Sequence, residues 1–173
     1  MLSKKIIDRI NLQINREMFS AFLYMEMSAR MSDDGYKGIG TWMMTQYHEE
    51  MFHAMKFYGY LQSQGALPSI GKIDAPEVKA KTIKEIFEAT LAHEKFVSAS
   101  IRELLELAIA EKDYATEDLV RWYVGEQVEE EQNAIDILQT IDLMGENKQG
   151  LFMLNIELGK RKPSIALDFT GMP

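Results

Sequence analysis

Apolar residues recur at helical spacing along four long stretches of the chain, and this periodicity limits the possible folds more than any other feature. Residues three and four positions apart share one face of a helix, so each stretch presents an apolar stripe that needs burial. We predict long helices over about 4–32, 38–64, 82–111 and 113–144, a short helix over about 147–159, and a loosely held tail over 160–173. No stretch shows the alternation of a strand, which predicts an all-α four-helix bundle in a single domain, 1–173.

The connection between the second and third helices decides the topology of this bundle. Short turns join the first helix to the second and the third to the fourth, so each of these pairs is antiparallel. The middle connection has about 16 residues, which reach roughly 53 Å when extended, whereas a helix of about 27 residues is roughly 40 Å long. It can therefore cross the whole bundle and let the third helix run parallel to the second, with one long crossover.

Glu50 and His53 lie three residues apart on the apolar face of the second helix. An unpaired buried charge costs several kcal/mol, so a carboxylate and an imidazole in a helical core need partners. The residues alone allow two interpretations: a buried Glu–His pair, or a metal ion bound by both side chains.

The other long helices also carry ligand-type side chains near the middle of their apolar faces. These are Glu17 on the first helix, Glu94 on the third, and Gln127 with Glu130 on the fourth. Each of them alone is equally well explained as a half-exposed side chain whose stem covers apolar surface. Four inward carboxylates together cannot all stay ionised without cations, and two divalent ions would balance them. Carboxylates with one imidazole and no thiolate favour iron or manganese over a structural zinc site.

The composition argues against several classes of protein. A net charge of −8 and a pI near 5.0 disfavour a nucleic-acid partner and favour cations. The chain has no cysteine, which excludes disulfides, Cys-ligated zinc and iron–sulfur sites. It has no apolar stretch long enough for a membrane span and no apolar signal-peptide region at its start. We therefore expect a cytoplasmic protein with no membrane partner.

Taken together, these motifs resemble the ferritins, specifically the bacterial and archaeal non-haem type. The resemblance covers nearly the whole chain, from Asn15-x-Glu17 through Trp122 to Glu131 and on to the short fifth helix. It implies a ferritin-like fold and a hollow homo-oligomeric shell of 24 subunits for iron storage and detoxification. It further implies a ferroxidase that oxidises Fe(II) to Fe(III) with dioxygen or hydrogen peroxide and stores ferric oxide-hydroxide inside the shell.

The resemblance also implies a ferroxidase centre that holds two iron ions within each subunit. Carried over to this sequence, it assigns the first iron to Glu17, Glu50 and His53. It assigns the second iron to Glu94 and Glu130, with Glu50 as the bridge between the two.

Further roles follow from the same resemblance. Tyr24 is expected to hydrogen-bond the centre and to donate an electron. Gln127 is expected to lie near the oxygen site, either as a weak ligand or as a neighbour that contacts the ligands without binding iron. A possible third iron site in this family corresponds here to Glu49, Glu126, Glu129 and Glu130. The residues alone favour a solvated face for this acidic run, because such runs usually lie in water.

Two alternatives remain open from the sequence. Met51 stands at the position that resembles the haem-ligating methionine of bacterioferritins, which would make the chain a haem-binding storage protein. The fourth helix carries Gln127-x-x-Glu130 where bacterioferritins have a second Glu-x-x-His, so we expect no haem. The other alternative is a metal-free structural helical bundle, in which the inward carboxylates are protonated or paired.

Overall fold

The computed structural model describes residues 2–145 and 147–163, and within these ranges every regular element is a helix. The helices are α1 Lys4–Asp33, α2 Lys37–Ser63, α3 Ile83–Ala110, α4 Tyr114–Met144 and α5 Lys148–Leu158. None of the described helices combines the length and the apolar character that a membrane span requires. The predicted tail is described only as far as residue 163, and the predicted domain 1–173 extends beyond the described residues.

Polar side chains fix where the helices begin. Ser3 caps α1 through its hydroxyl. Thr82 and Glu85 form a reciprocal capping box at the start of α3. Asp113 accepts a hydrogen bond from the Thr116 N–H at the start of α4. Each cap satisfies backbone donors that the first turn of a helix otherwise leaves without partners.

The connection between α2 and α3 runs along α1 and sets the topology. Near its beginning, the Ser69 N–H donates to Asn11 Oδ1 over 2.8 Å. Near its end, the Val78 carbonyl accepts from Arg30 over 2.8 Å. Residues 11 and 30 of one helix are about 28 Å apart, so the connection crosses most of the bundle. It thereby brings α3 to the far end of α1, and the predicted four-helix bundle with one long crossover and a short fifth helix is confirmed.

The core consists of two apolar clusters with polar residues between them. One cluster includes Met43 of α2, Phe87 of α3 and Ile137 of α4. The other includes Ala54 of α2, Val97 of α3 and Tyr123 of α4. On each of these three helices, the buried glutamates and the histidine fall between the two clusters. Apolar packing on both sides therefore holds a polar layer near the middle of the bundle.

Helix α5 packs against the beginning of α2 and supplies its cap. Tyr36, the residue before α2, makes no side-chain capping bond. Asn155 Oδ1 instead accepts from the N–H groups of Gly38 and Ile39, over 2.9 and 3.1 Å. A Cβ atom at Gly38 would lie 1.7 Å from the Asn155 carbonyl oxygen. A glycine at this position is therefore what allows α5 to approach so closely.

Candidate metal centre

Glu17, Glu50 and His53 converge in the polar layer between α1 and α2. Each side chain is buried, with only 1% of its residue surface exposed. One ligand-type atom from each residue lies within 4.8 Å of the other two. An oxygen–oxygen–nitrogen set at this spacing can surround a single cation.

Five polar atoms of these three residues have no hydrogen-bond partners among the described residues. They are Glu17 Oε2, both carboxylate oxygens of Glu50, and both ring nitrogens of His53. The closest charged contacts of the ring, His53 Nδ1 to Glu50 Oε2 and His53 Nε2 to Glu126 Oε2, are each 3.7 Å, too long for hydrogen bonds. Buried polar groups are almost always satisfied in folded proteins. A bound metal ion would satisfy these atoms, so the residues present fit such an ion.

Glu94 lies on the opposite pair of helices and has its own hydrogen-bond partners. The Tyr24 hydroxyl donates to Oε1 of Glu94. Gln127 Nε2 donates to Oε2 of Glu94 over 3.1 Å. Burial, together with the negative charge of Glu130, raises the pKa of Glu94 to about 8. In the absence of a cation, this carboxyl group therefore holds its proton at neutral pH.

Two glutamines hold the remaining carboxylates in place. Gln13 Nε2 donates to Oε1 of Glu17 over 2.7 Å. Gln46 Nε2 donates to Oε2 of Glu130 over 2.8 Å. Neither glutamine was predicted to take part in the centre. Their positions in the sequence do indicate that both face the core. Gln13 precedes Glu17 by one helical turn, and Gln46 lies on the apolar stripe of α2.

The electrostatics of the centre favour the arrival of positive charge. Burial raises the pKa of Glu50 well above its ordinary value, and the Glu94 and Glu17 charges raise it further. Burial alone would lower the pKa of His53, but the Glu126 and Glu50 carboxylates raise it well above its ordinary value. The raised pKa values of Glu50 and His53 both reflect several carboxylates close together in an interior without water. A divalent cation would relieve this excess of negative charge.

The four residues assigned to a third iron site are less closely grouped. Within the described ranges, the only group of three or more histidine and acidic side chains with ligand atoms inside 4.8 Å is Glu17, Glu50 and His53. Glu49 is buried, Glu126 is half-buried beside His53, and Glu129 is exposed. Glu94 and Glu130 also lie outside the three-residue group. The assignments of individual residues to the second and third iron sites therefore stay predictions.

Arg161, which follows α5, reaches back to the centre. Its guanidinium donates to Oε2 of Glu49 over 2.6 Å and to Oε1 of Gln46. It also lies over the Trp42 ring, 4.7 Å from the ring centroid. The expectation of a loosely held tail is therefore wrong at Arg161. Helical periodicity could not predict this contact, because Arg161 and Glu49 are 112 positions apart in the sequence.

Met51, the residue considered for haem binding, is half-buried. It packs against the apolar cluster that contains Phe57 and Leu61. Its position is explained by this packing without any bound group.

The sequence matches the family model of the ferritin-like domain over residues 7–144. A probable bacterial non-heme ferritin-like protein from Haemophilus influenzae is 38% identical over 159 residues, which cover 92% of this chain and 96% of that protein. A bacterial non-heme ferritin from Campylobacter jejuni is 36% identical over 167 residues, covering 94% and 100%. These matches span the long helices and all of the residues of the centre.

Solved structures give the same result. An open-pore ferritin from the hyperthermophilic archaeon Archaeoglobus fulgidus is 38% identical to this chain with a TM-score of 0.91, covering 94% of this chain and 100% of that one. A humanized archaeal ferritin is also 38% identical, with a TM-score of 0.93 and coverage of 95% and 100%.

Proposed function

This chain belongs to the ferritin family, and from this membership and the geometry of its centre we propose that it stores and detoxifies iron. In this proposal it oxidises Fe(II) to Fe(III) at a two-iron ferroxidase centre inside its own helical bundle. The observation that carries the proposal is the set of five buried, unpartnered polar atoms on Glu17, Glu50 and His53. A fold that leaves these atoms unsatisfied in the absence of a cation is arranged for binding one.

The donor set determines which ions the centre prefers. Carboxylate oxygens with one imidazole suit Fe(II), whereas soft ions prefer thiolates, and the chain has no cysteine. Glu17, Glu50 and His53 would hold the first Fe(II). Glu94 and Glu130 would hold the second, with Glu50 bound to both.

Binding of Fe(II) as the substrate is coupled to the release of protons. Glu94 and Glu50 have raised pKa values, so their carboxyl groups lose their protons when a cation binds to them. Gln13 and Gln46 keep the Glu17 and Glu130 carboxylates oriented during this exchange. These two hydrogen bonds keep two of the carboxylates in position before the metal arrives, which reduces the reorganisation that binding requires.

The reaction itself is the oxidation of the bound substrate. Two Fe(II) ions each lose one electron, and one dioxygen molecule with two protons accepts both electrons to form hydrogen peroxide. The buried carboxylates favour the product because their negative charge stabilises Fe(III) more than Fe(II). The resemblance implies that Tyr24, whose hydroxyl donates a hydrogen bond to Glu94, would donate an electron to the centre. Hydrolysis of Fe(III) then yields the ferric oxide-hydroxide that is stored.

Storage requires an enclosed space, and we propose that 24 copies of the chain assemble into a cytoplasmic hollow shell. Support comes from the family and from α5, which leaves Phe152, Met153 and Ile156 exposed. A short helix with an exposed apolar face is more stable when a second copy covers that face.

An anaerobic titration with Fe(II) tests the proposal. We expect wild-type protein to bind about two Fe(II) per chain before any further site fills. Admission of air should then produce ferric absorbance in the near ultraviolet faster than in buffer. Glu50→Gln should lose the rapid oxidation, while Glu88→Gln, at an exposed position on α3, should retain it. Saturable binding that is equally strong in Glu50→Gln would contradict the proposed centre.

The same experiment addresses the two alternatives. A haem-binding protein would show a Soret band after purification, and a metal-free bundle would show no saturable Fe(II) binding. Neither alternative is favoured, because the relatives are named non-heme ferritins and because the unpartnered atoms converge on one point.

A further inference from the structure

Arg161 places a permanent positive charge against the carboxylate of Glu49, which neighbours the proposed metal ligand Glu50 in the chain. Its guanidinium is bound on three sides, by Glu49, by Gln46 and by the face of Trp42. The ion pair is largely shielded, since the side chains of Arg161 and Glu49 are only 21% and 8% exposed. A guanidinium remains charged at every physiological pH. This contact is therefore more persistent than a solvated surface ion pair.

The position of Arg161 matters because Glu49 is one of the four proposed ligands of the third iron site. Two cations that share one carboxylate repel each other, and the repulsion is strong where water is excluded. An iron ion that uses Glu49 must therefore compete with a guanidinium that the fold already holds there.

Arg161 also determines how the Gln46 amide is oriented. Because the guanidinium donates to Oε1 of Gln46, the amide nitrogen points the other way and donates to Glu130. A single side chain thus contacts Glu49 and positions the amide that donates to Glu130.

We propose that Arg161 acts as a built-in cation that keeps the third iron site closed. Glu49, Glu126, Glu129 and Glu130 then form a latent site, which takes Fe(II) when the guanidinium is displaced or removed. In the resting protein, iron binding stops at the two-iron centre. This inference rests on the function proposed above and adds a residue that determines how many ions each chain binds.

Equilibrium dialysis of the full-length protein against Fe(II) without oxygen tests this inference. We expect about two Fe(II) per chain in the wild type and about three in Arg161→Gln. Arg161→Lys keeps the positive charge and should remain at about two. The matched control is Lys160→Gln, which removes a neighbouring positive charge that pairs with Glu157 and should also remain at about two.

A double variant tests whether the added ion uses Glu49. Arg161→Gln combined with Glu49→Gln should return the count from about three to about two. Circular dichroism confirms that each variant is folded before its bound iron is counted.

Each outcome has a definite meaning. A count of about three in the wild type, or about two in folded Arg161→Gln, would overturn the role of Arg161 and leave the two-iron centre intact. A third ion that persists in the double variant would overturn the role of Glu49. The absence of saturable binding in every variant would overturn the proposed function together with this inference.

Discussion

Replacing Glu94 by glutamine should change how the stability of the metal-free protein depends on pH. In the folded chain, burial and the Glu130 charge raise the pKa of Glu94 from 4.5 to about 8. In the unfolded chain, the side chain is in water and titrates near its ordinary value. Between these two values the folded chain keeps a proton that the unfolded chain has lost. Raising the pH therefore favours unfolding, and glutamine at this position removes the effect.

The size of the effect follows from this one proton. The free energy of unfolding falls by about 1.4 kcal/mol per pH unit for each proton that only the folded state retains. From about pH 5.5 to about pH 7.5, the loss from Glu94 amounts to about 2.5 kcal/mol per chain. The raised pKa values of Glu50, Glu130 and His53 act in the same direction, but those groups are present in both proteins. The stability of Glu94→Gln relative to the wild type should therefore rise by about 2.5 kcal/mol over this range.

Denaturant unfolding of chelator-treated protein, followed by circular dichroism, measures this difference. All samples need the same chain concentration, because assembly contributes to apparent stability. Glu88→Gln, an exposed substitution on the same helix, should follow the wild type at every pH. If the curves for Glu94→Gln and the wild type run parallel, Glu94 does not hold a proton in this range and our account of the centre is wrong.

Three further changes test other parts of the structure. Glu50→Ala should reduce the initial rate of Fe(II) oxidation by more than about 100-fold, since it removes the proposed bridging ligand, and an unchanged stopped-flow rate would argue against that role. Gly38→Ala should destabilise the protein by about 1–3 kcal/mol, because the new Cβ meets Asn155, although helix propensity alone predicts a gain in stability. Hydrogen exchange in α5 should become faster in this variant, and unchanged protection would refute the close approach of α5 to α2. Thr82→Ala should cost about 1 kcal/mol of unfolding free energy through loss of the capping box with Glu85, and an unchanged denaturation midpoint would contradict this.

The fold was predictable because its determinants are local. Apolar spacing along each helix indicates which face is buried, and loop length indicates whether neighbouring helices can be parallel. The inward position of Glu94 and Glu130 follows from the same spacing, and the structure buries both. The resemblance to ferritins then added the grouping of these residues, which periodicity alone does not supply.

What the sequence did not indicate depends on contacts between distant positions. Gln46 and Glu130 are 84 residues apart, and Arg161 is separated from Gln46 by 115. No local spacing encodes such pairs. The residues around Arg161 also gave no indication of its contacts. It lies beyond the last helical stripe, in a segment with the composition of a loose tail.

The cap that Asn155 provides for α2 also bears on the order in which the molecule is built. Its bond to Gly38 spans 117 residues, and proteins are synthesised from the N-terminus. The first turn of α2 therefore has no cap until α5 has left the ribosome. This end of the bundle is then the last part to fold. Every proposed iron ligand, from Glu17 to Glu130, precedes α5 in the chain. A nascent chain that stops before α5 thus carries the complete ligand set while one end of the bundle remains open.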